Sequence, residues 1–173
     1  MDMFPHYRHC PYDGTPLDPG DPPRGRRPRC TRCEFVDYQN PRPCVAILIL
    51  DENRVLLARR AVEPAKGMWD IPGGFIEANE SAEQAVVREA REETDLHVQV
   101  AAYLGSLPDV YGHRGVPTLN FCFLTEVVAG EVKAQSDVAE LQWVDLNCLP
   151  DRMAFAHQQQ MLHWAQARVL GGR

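Results

Sequence analysis

The 173-residue chain lacks the features that would place it in a membrane or outside the cell. No apolar stretch approaches the roughly 20 residues needed to span a bilayer. The polar, proline-rich N-terminus also lacks the apolar run of a signal peptide. Positive charge is not in excess either, because the formal net charge is −6, which argues against a general nucleic-acid or membrane-surface binder. We therefore expect a cytoplasmic protein with no membrane partner.

The absence of a secretion signal also bears on the cysteines. Six cysteines would suffice for three disulfides, but in a cytoplasmic protein we expect them to remain reduced. Cys44, Cys122 and Cys148 lie in apolar surroundings in the sequence, which predicts buried and unreactive thiols.

The other three cysteines belong to a segment, residues 1–40, that is poor in aliphatic residues and rich in Pro, Gly, Arg and Cys. Cys10 and Asp13 form one short knuckle, and Cys30 and Cys33 form another after sixteen residues. Paired knuckles of this kind are typical of a zinc ribbon, in which each knuckle gives two ligands to one Zn²⁺. Asp13 stands where a fourth cysteine is usual, and a carboxylate oxygen can bind zinc. His6 and His9 are alternative sources of the fourth ligand.

A segment of this size has little core of its own, so bound zinc would explain how it stays folded. We predict two units, a zinc-ribbon-like segment at residues 1–40 and a larger domain at residues 41–173. Residues 38–43 contain two prolines and are predicted to form an extended linker between them.

The larger part of the chain alternates strand-like and helix-like patterns. Residues 44–50 are continuously apolar, as in a strand buried on both faces, and residues 55–60 follow after a polar turn as the second strand of a hairpin. Residues 105–118 are predicted to form a loop. Further strands are predicted at residues 70–74, 98–104, 119–128 and 141–144. A final amphipathic helix would use Phe155, Met161, Leu162, Ala165 and Val169. This order predicts a mixed α/β sandwich with a helix on each side of a sheet.

The clearest element is a helix at residues 81–94. It contains no Gly or Pro after its first residue, and Ser81 followed by Gln84 forms a capping box. Ala82, Val86 and Ala90 recur every four residues and make a thin apolar stripe.

Three carboxylates crowd one side of this helix, because Glu89, Glu92 and Glu93 are three or four residues apart or adjacent. Like charges at this spacing destabilise a helix, and the helix contains no lysine to offset them. The pattern therefore predicts a strongly cationic partner, most simply a hard divalent ion that prefers oxygen ligands.

The stretch from Gly73 to Leu96 resembles the Nudix box, G-x5-E-x7-R-E-U-x-E-E-x-G-U, where U is a bulky aliphatic residue. Two positions depart from it: Ala90 is smaller than usual, and Asp95 replaces the glycine that ends the helix in a left-handed conformation, which Asp tolerates better than most residues. The matching residues are Gly74, Glu80, Arg88, Glu89, Glu92, Glu93 and Leu96.

This resemblance to Nudix hydrolases implies a Nudix-type α/β/α sandwich with a mixed sheet. These enzymes cleave nucleoside diphosphates linked to another group. A zinc ribbon directly before such a domain is also seen in the NADH-pyrophosphatase-like branch, so the resemblance extends over the whole chain.

The resemblance also implies roles for individual residues. Mg²⁺ or Mn²⁺ would be held by Glu89, Glu92 and Glu93 together with the backbone carbonyl of Gly73, and Arg88 would orient one of the glutamates. Glu80 would assist near the metals. The general base would be a glutamate of the box or Glu140, just before a predicted strand, where many family members place an extra acid. Arg59 or Arg60 could hold a phosphate.

The substrate is less well defined by sequence. The chain lacks the S-Q-P-W-P-F-P array of NADH pyrophosphatases, while Tyr111 lies sixteen residues after Asp95, a spacing linked to diadenosine polyphosphate hydrolases. Trp69 and Tyr111 are candidates for stacking on a base, as are Phe75 and Tyr103. We expect ADP-ribose or a similar ADP-linked diphosphate, with NADH, NAD-capped RNA and diadenosine polyphosphates as alternatives.

Other classes of protein share parts of this pattern. A nucleic-acid-binding sensor would use the ribbon and the arginines at residues 24–29, but a sensor need not retain all three box glutamates. Isopentenyl diphosphate isomerases share the fold, yet their chemistry needs a cysteine near the metal, and none lies close to this box. The ribbon could also serve dimerisation, and we expect a homodimer.

Overall fold

A computed structural model describes residues 7–21 and 24–171. The elements are β1 (Arg42–Asp51), β2 (Arg54–Arg60), β3 (Trp69–Asp70), β4 (Gly73–Phe75), α1 (Ala82–Thr94), β5 (His97–Tyr111), β6 (Val116–Ala129), β7 (Val138–Asp145) and α2 (Ala156–Leu170). These seven strands of the described residues form one mixed sheet in the order β3-β2-β1-β6-β5, with β4 paired to β1 and β7 paired to β2.

The sheet is sandwiched between the two helices, as the sequence predicted. The apolar run of β1 lies at its centre, parallel to β6 and antiparallel to β2 and β4. Because strand side chains alternate between faces, Val45, Ile47 and Ile49 pack in the core beside α1, whereas Ala46 and Leu48 pack in the core beside α2. Both faces are therefore covered, and the predicted α/β/α fold is confirmed.

Helix α1 begins where its capping box predicts. The Gln84 N–H donates to Ser81 Oγ at 3.2 Å, and the Ser81 N–H donates to Gln84 Oε1 at 2.7 Å. Val86 and Ala90 are fully buried, and so is Ala85, which the four-residue stripe left out. Asp95 ends the helix with φ of 61° and ψ of 12°, so the substitution of the box glycine keeps the left-handed conformation.

The predicted loop at residues 105–118 is wrong for most of its length. β5 and β6 remain paired as far as Tyr111 and Val116, so only a short turn between them connects the strands. Pro108 and Pro117 made this stretch look irregular. Proline is tolerated here because β5 is an edge strand and Pro117 of β6 comes one residue before Thr118, where the pairing of β6 with β1 begins.

The described residues before β1 form four isolated β-bridges, such as those joining His9 to Pro16 and Arg29 to Val36. The linker is shorter than predicted, because β1 begins at Arg42. Neither α1 nor α2, the helices of the described ranges, has the length and apolar character of a membrane span.

The cysteines of the described residues carry no disulfide. Cys44 and Cys122 are buried as predicted, and burial raises the pKa of each thiol to about 12, which suits an unreactive side chain. Cys148 was predicted to be buried but is exposed, because it lies in the turn after β7 and not in the core.

Candidate active site

A cavity of about 410 Å³ opens at one end of the sheet, beside α1 and the start of α2. This volume is in the range of sites for small organic ligands. Its walls come from α1, β4, the end of β5 and the start of α2. The lining residues include Gly73, Gly74, Arg88, Glu89, Glu92 and Glu93 of the box.

Arg88 organises the acidic side of the cavity. Its guanidinium donates to Glu80 at 2.6 Å, to Glu89 at 2.9 Å and to Glu92 at 3.2 Å. It also donates to the carbonyl oxygen of Phe75 at 3.0 Å, which ties α1 to β4. The bonds from Arg88 lower the pKa of Glu80. We expected Arg88 to orient one glutamate, and the structure shows contacts with three.

The two glycines of β4 are needed for different reasons, because Gly73 lies against the backbone of β1 and Gly74 lies against the Glu89 side chain. The Gly73 N–H donates to Glu93 Oε2 at 3.0 Å, and a Cβ at Gly73, with φ of 150°, would lie 2.1 Å from the Val45 oxygen. A Cβ at Gly74 would lie 2.2 Å from Glu89 Oε1. Gly74 thus leaves room for a carboxylate.

The electrostatics of this cluster favour a bound cation. Burial raises the pKa of Glu93 to about 8, with further contributions from the nearby Asp137, Glu89 and Asp70, and the Gly73 N–H only partly opposes this shift. Burial also raises the pKa of Glu89, although Arg88 works in the opposite direction. A cation would stabilise both carboxylates in their charged form.

The donor set fits a magnesium-like ion. Among the described residues, Glu89, Glu92 and Glu93 do not form a compact cage with all ligand atoms within 4.8 Å of one another. Mg²⁺ does not need such a cage, because it keeps several waters and binds through one or two carboxylates together with substrate phosphates. The oxygen-only chemistry of the glutamates, the carbonyl of Gly73 and the open cavity beside them suit that mode of binding.

Three residues that were predicted to act as base or to contact substrate are absent from the cavity lining, which is formed by residues of the described ranges. Glu140 on β7 pairs with Arg59 on β2 at 3.2 Å, and the Arg59 guanidinium stacks over Trp69 at 5.1 Å. Arg59 and Glu140 are about half exposed. Tyr111, by contrast, lines the cavity, as does Arg60, the other candidate phosphate ligand.

Sequence reasoning missed several lining residues. Asp137, in the loop before β7, faces the cavity near Glu93 and Glu89. Asp70 and Gln158 were missed as well: the buried Asp70 carboxylate accepts hydrogen bonds from Gln158 of α2 and, at 2.6 Å, from Arg60, which was already a candidate. These contacts depend on strand register and on the docking of α2, and no local motif in the sequence marks them.

The predicted zinc ligands also come together. Cys10, Asp13, Cys30 and Cys33 each offer a ligand atom within 4.8 Å of the others. The Cys10 and Cys33 sulfurs are 3.5 Å apart, and Cys30 Sγ is 3.7 Å from an Asp13 oxygen. Thiolates bound about 2.3 Å from a tetrahedral zinc would lie about 3.8 Å apart, so the spacing fits. His9 is exposed and outside this set, and His6 lies outside the described residues.

Fold and site together define a class: an α/β/α sandwich in which a glutamate-rich helix lines a ligand cavity and a cysteine cluster precedes the sheet. A family model described as NUDIX domain matches residues 40–165. The chain therefore belongs to the Nudix hydrolase family.

Two similar proteins illustrate the range of the family. An ADP-ribose pyrophosphatase of Methanocaldococcus jannaschii is 40% identical over 126 residues, which cover 70% of this chain and 72% of that protein. The NAD-capped RNA hydrolase NudC of Pseudomonas aeruginosa is 35% identical over 146 residues, which cover 84% of this chain and 50% of that protein. The chain thus spans about half the length of this NudC relative.

A solved structure supports the fold over nearly the whole chain. A NUDIX hydrolase from Nitrosomonas europaea superposes with a TM-score of 0.74 at 24% identity, covering 94% of this chain and 93% of that one. This likeness reaches into the segment before the sheet.

Proposed function

We propose that this Nudix hydrolase uses Mg²⁺ or Mn²⁺ to hydrolyse the pyrophosphate of ADP-ribose or a similar ADP-linked compound. The observation that carries the proposal is the cavity beside α1, where Arg88 fixes Glu89 and Glu92 and Gly73 holds Glu93. Similarity to an ADP-ribose pyrophosphatase at 40% identity supports the choice of substrate.

Each residue of the site has a distinct task in this proposal. Glu89, Glu92 and Glu93, with the Gly73 carbonyl, supply oxygen ligands. A bound divalent ion would neutralise phosphate charge and activate the attacking water. Arg88 holds two of the glutamates at fixed positions before substrate arrives, so less reorganisation is needed when it binds.

The general base is proposed from position in the cavity. A base must lie within hydrogen-bond reach of the attacking water. Asp137 lines the cavity near Glu93, whereas Glu140 is half exposed and paired with Arg59. We therefore favour Asp137 over Glu140, with Glu92 and Glu93 as the alternatives inside the box.

A second candidate function is hydrolysis of NAD-capped RNA. It is favoured by the similarity to NudC proteins, which extends over 84% of this chain in the Pseudomonas aeruginosa protein. NADH and diadenosine polyphosphates remain alternatives within the same chemistry. All of these compounds contain a diphosphate attached to adenosine, so the acidic side of the cavity would treat them alike.

Zinc binding, the boundary between the two units, the cellular location and the oligomeric state are further proposals. We propose that Cys10, Asp13, Cys30 and Cys33 bind structural zinc in a unit at residues 1–40, with the Nudix domain at residues 41–173. We also propose a cytoplasmic homodimer, and sedimentation measurements on the purified chain would give its oligomeric state.

The test is a panel of ADP-ribose, NADH, diadenosine polyphosphates and NAD-capped RNA, each with Mg²⁺ or Mn²⁺, for the wild type and Glu93→Gln. Glutamine can still accept the Gly73 N–H bond but lacks the charge, so the fold should survive while kcat falls about a hundredfold or more. Glu131→Gln, at an exposed position, is the control. A Glu93→Gln enzyme with wild-type turnover would refute the site, and hydrolysis of none of these compounds would refute the substrate class.

A further inference from the structure

One wall of the cavity carries side chains that the proposed metal chemistry does not use. Asp109 and Tyr111 come from the end of β5, and Phe155 and His157 come from the start of α2. All four line the same cavity as the box glutamates. A substrate held by its diphosphate at α1 would therefore extend along this wall.

The wall contains a largely buried His–Asp pair. The side chains of His157 and Asp109 are 9% and 25% exposed, and His157 Nδ1 lies 2.5 Å from Asp109 Oδ2. Because a carboxylate oxygen only accepts, Nδ1 carries the proton and the ring orientation is fixed. Within the described part of the chain this is the hydrogen bond that the ring makes, so Nε2 is left for a ligand.

Aromatic rings surround this pair. The Tyr111 and Phe155 ring centres are 5.9 Å apart with an interplanar angle of 34°, and the Phe155 and His157 rings stack at 6.0 Å. Phe75 meets Tyr111 edge-on at 5.5 Å, and the Arg60 guanidinium lies 5.3 Å from the Phe155 ring centre. Flat rings with one oriented hydrogen-bonding nitrogen suit a planar nucleobase better than a sugar phosphate.

Building on the proposed function, we propose that Asp109, Tyr111, Phe155 and His157 form the nucleoside subsite of this cavity. Tyr111 and Phe155 stack on the base, and His157 Nε2 makes a hydrogen bond to the nucleoside. Asp109 is a positioning residue that holds His157. The nucleoside end of the substrate, and not the group attached to the second phosphate, thus lies between β5 and α2.

The experiment is calorimetric titration of AMP, which contains the nucleoside but is not a pyrophosphate, into wild-type and variant proteins. His157→Gln should raise the Kd for AMP about tenfold, as expected for the loss of one hydrogen bond to a ligand. Asp109→Asn and Tyr111→Leu should also raise the Kd for AMP. His163→Gln, at an exposed position of the same helix, should leave the Kd unchanged.

A parallel titration with ribose 5-phosphate separates the two ends of the substrate. His157→Gln should weaken the binding of AMP but not the binding of ribose 5-phosphate, and the opposite result would overturn the proposal. A lower melting temperature with unchanged AMP affinity would also overturn it, because the pair would then only join α2 to β5. Since AMP binding needs no catalysis, a wild type that binds AMP but cleaves no ADP-linked compound would refute the proposed function and leave this subsite intact.

Discussion

The protonation of Glu93 links the stability of the fold to pH and to metal binding. Its pKa is raised to about 8, against an ordinary value of about 4.3, mainly because the side chain is buried. The folded state therefore holds this proton more tightly than the unfolded state does. Stability from Glu93 is fully present below the ordinary pKa and is lost as the pH rises through about 8.

We predict that the metal-free protein loses stability as the pH rises from about 5 to about 8. Mg²⁺ binds the carboxylate form, so its stabilising effect should grow over the same window. The measurement is the melting temperature with and without Mg²⁺ across this range. Glu93→Gln should flatten both trends, and identical pH profiles for variant and wild type would contradict this account of the site.

The choice of general base is also a question about single residues. We predict that Asp137→Asn lowers kcat by about a hundredfold or more, because Asp137 faces the cavity beside Glu93. Glu140→Gln should change kcat little, since Glu140 is half exposed and paired with Arg59. Steady-state kinetics of the two isosteric variants make the comparison. The reverse order of effects would restore Glu140 as the base.

These residues also mark the limit of prediction from sequence. Glu89, Glu92 and Glu93 could be predicted to lie together because their spacing on one helix places them so, whatever the rest of the chain does, and all three line the cavity. Asp137 and His157 were not, because each reaches the cavity only through long-range packing. Arg59 and Arg60 are adjacent in sequence, yet strand alternation sends only Arg60 into the cavity.

At the scale of elements, α1 depends on its first turn. Ser81 and Gln84 each accept a backbone N–H that the helix leaves unpaired, and this start fixes the register of the box glutamates. We predict that Ser81→Ala lowers the free energy of unfolding by about 1 kcal/mol. Denaturant titration measures this loss, and Ser81→Asp, which can still cap, is the matched control. Equal losses in both variants would show that the cap contributes nothing.

The β5–β6 hairpin shows why some elements escape prediction. Its outer half contains two prolines and several glycines, and these residues favour a loop when read locally. The strands persist because thirteen residue pairs hold them together from His97 to Tyr111. This extension places Asp109 and Tyr111 at the cavity. Tyr111 was predicted to contact the substrate, whereas Asp109 was missed for the same reason as the strand.

At the scale of the whole molecule, the order of elements was sufficient for the α/β/α sandwich. The apolar run of β1 predicted a strand buried on both faces, and the two helices account for those faces. The position of the substrate could not be predicted from sequence, because the cavity is lined by α1, β5 and α2, which are distant in sequence and meet only in the fold.

The segment before the sheet gives the last prediction. Cys10, Asp13, Cys30 and Cys33 converge, and the Arg32 N–H donates to Cys30 Sγ at 3.3 Å, a contact that would stabilise a thiolate ligand. We predict about one zinc per chain, measured by elemental analysis of purified protein. Cys30→Ser should lose zinc and expose the segment to protease, whereas Cys148→Ser, at an exposed cysteine outside the cluster, should change neither.

If the segment mainly serves its own stability, hydrolysis of ADP-ribose by Cys30→Ser should stay close to wild type. Wild-type protein without zinc would exclude the ribbon, and lost hydrolysis in a zinc-free variant with an intact Nudix domain would show that the segment takes part in the reaction.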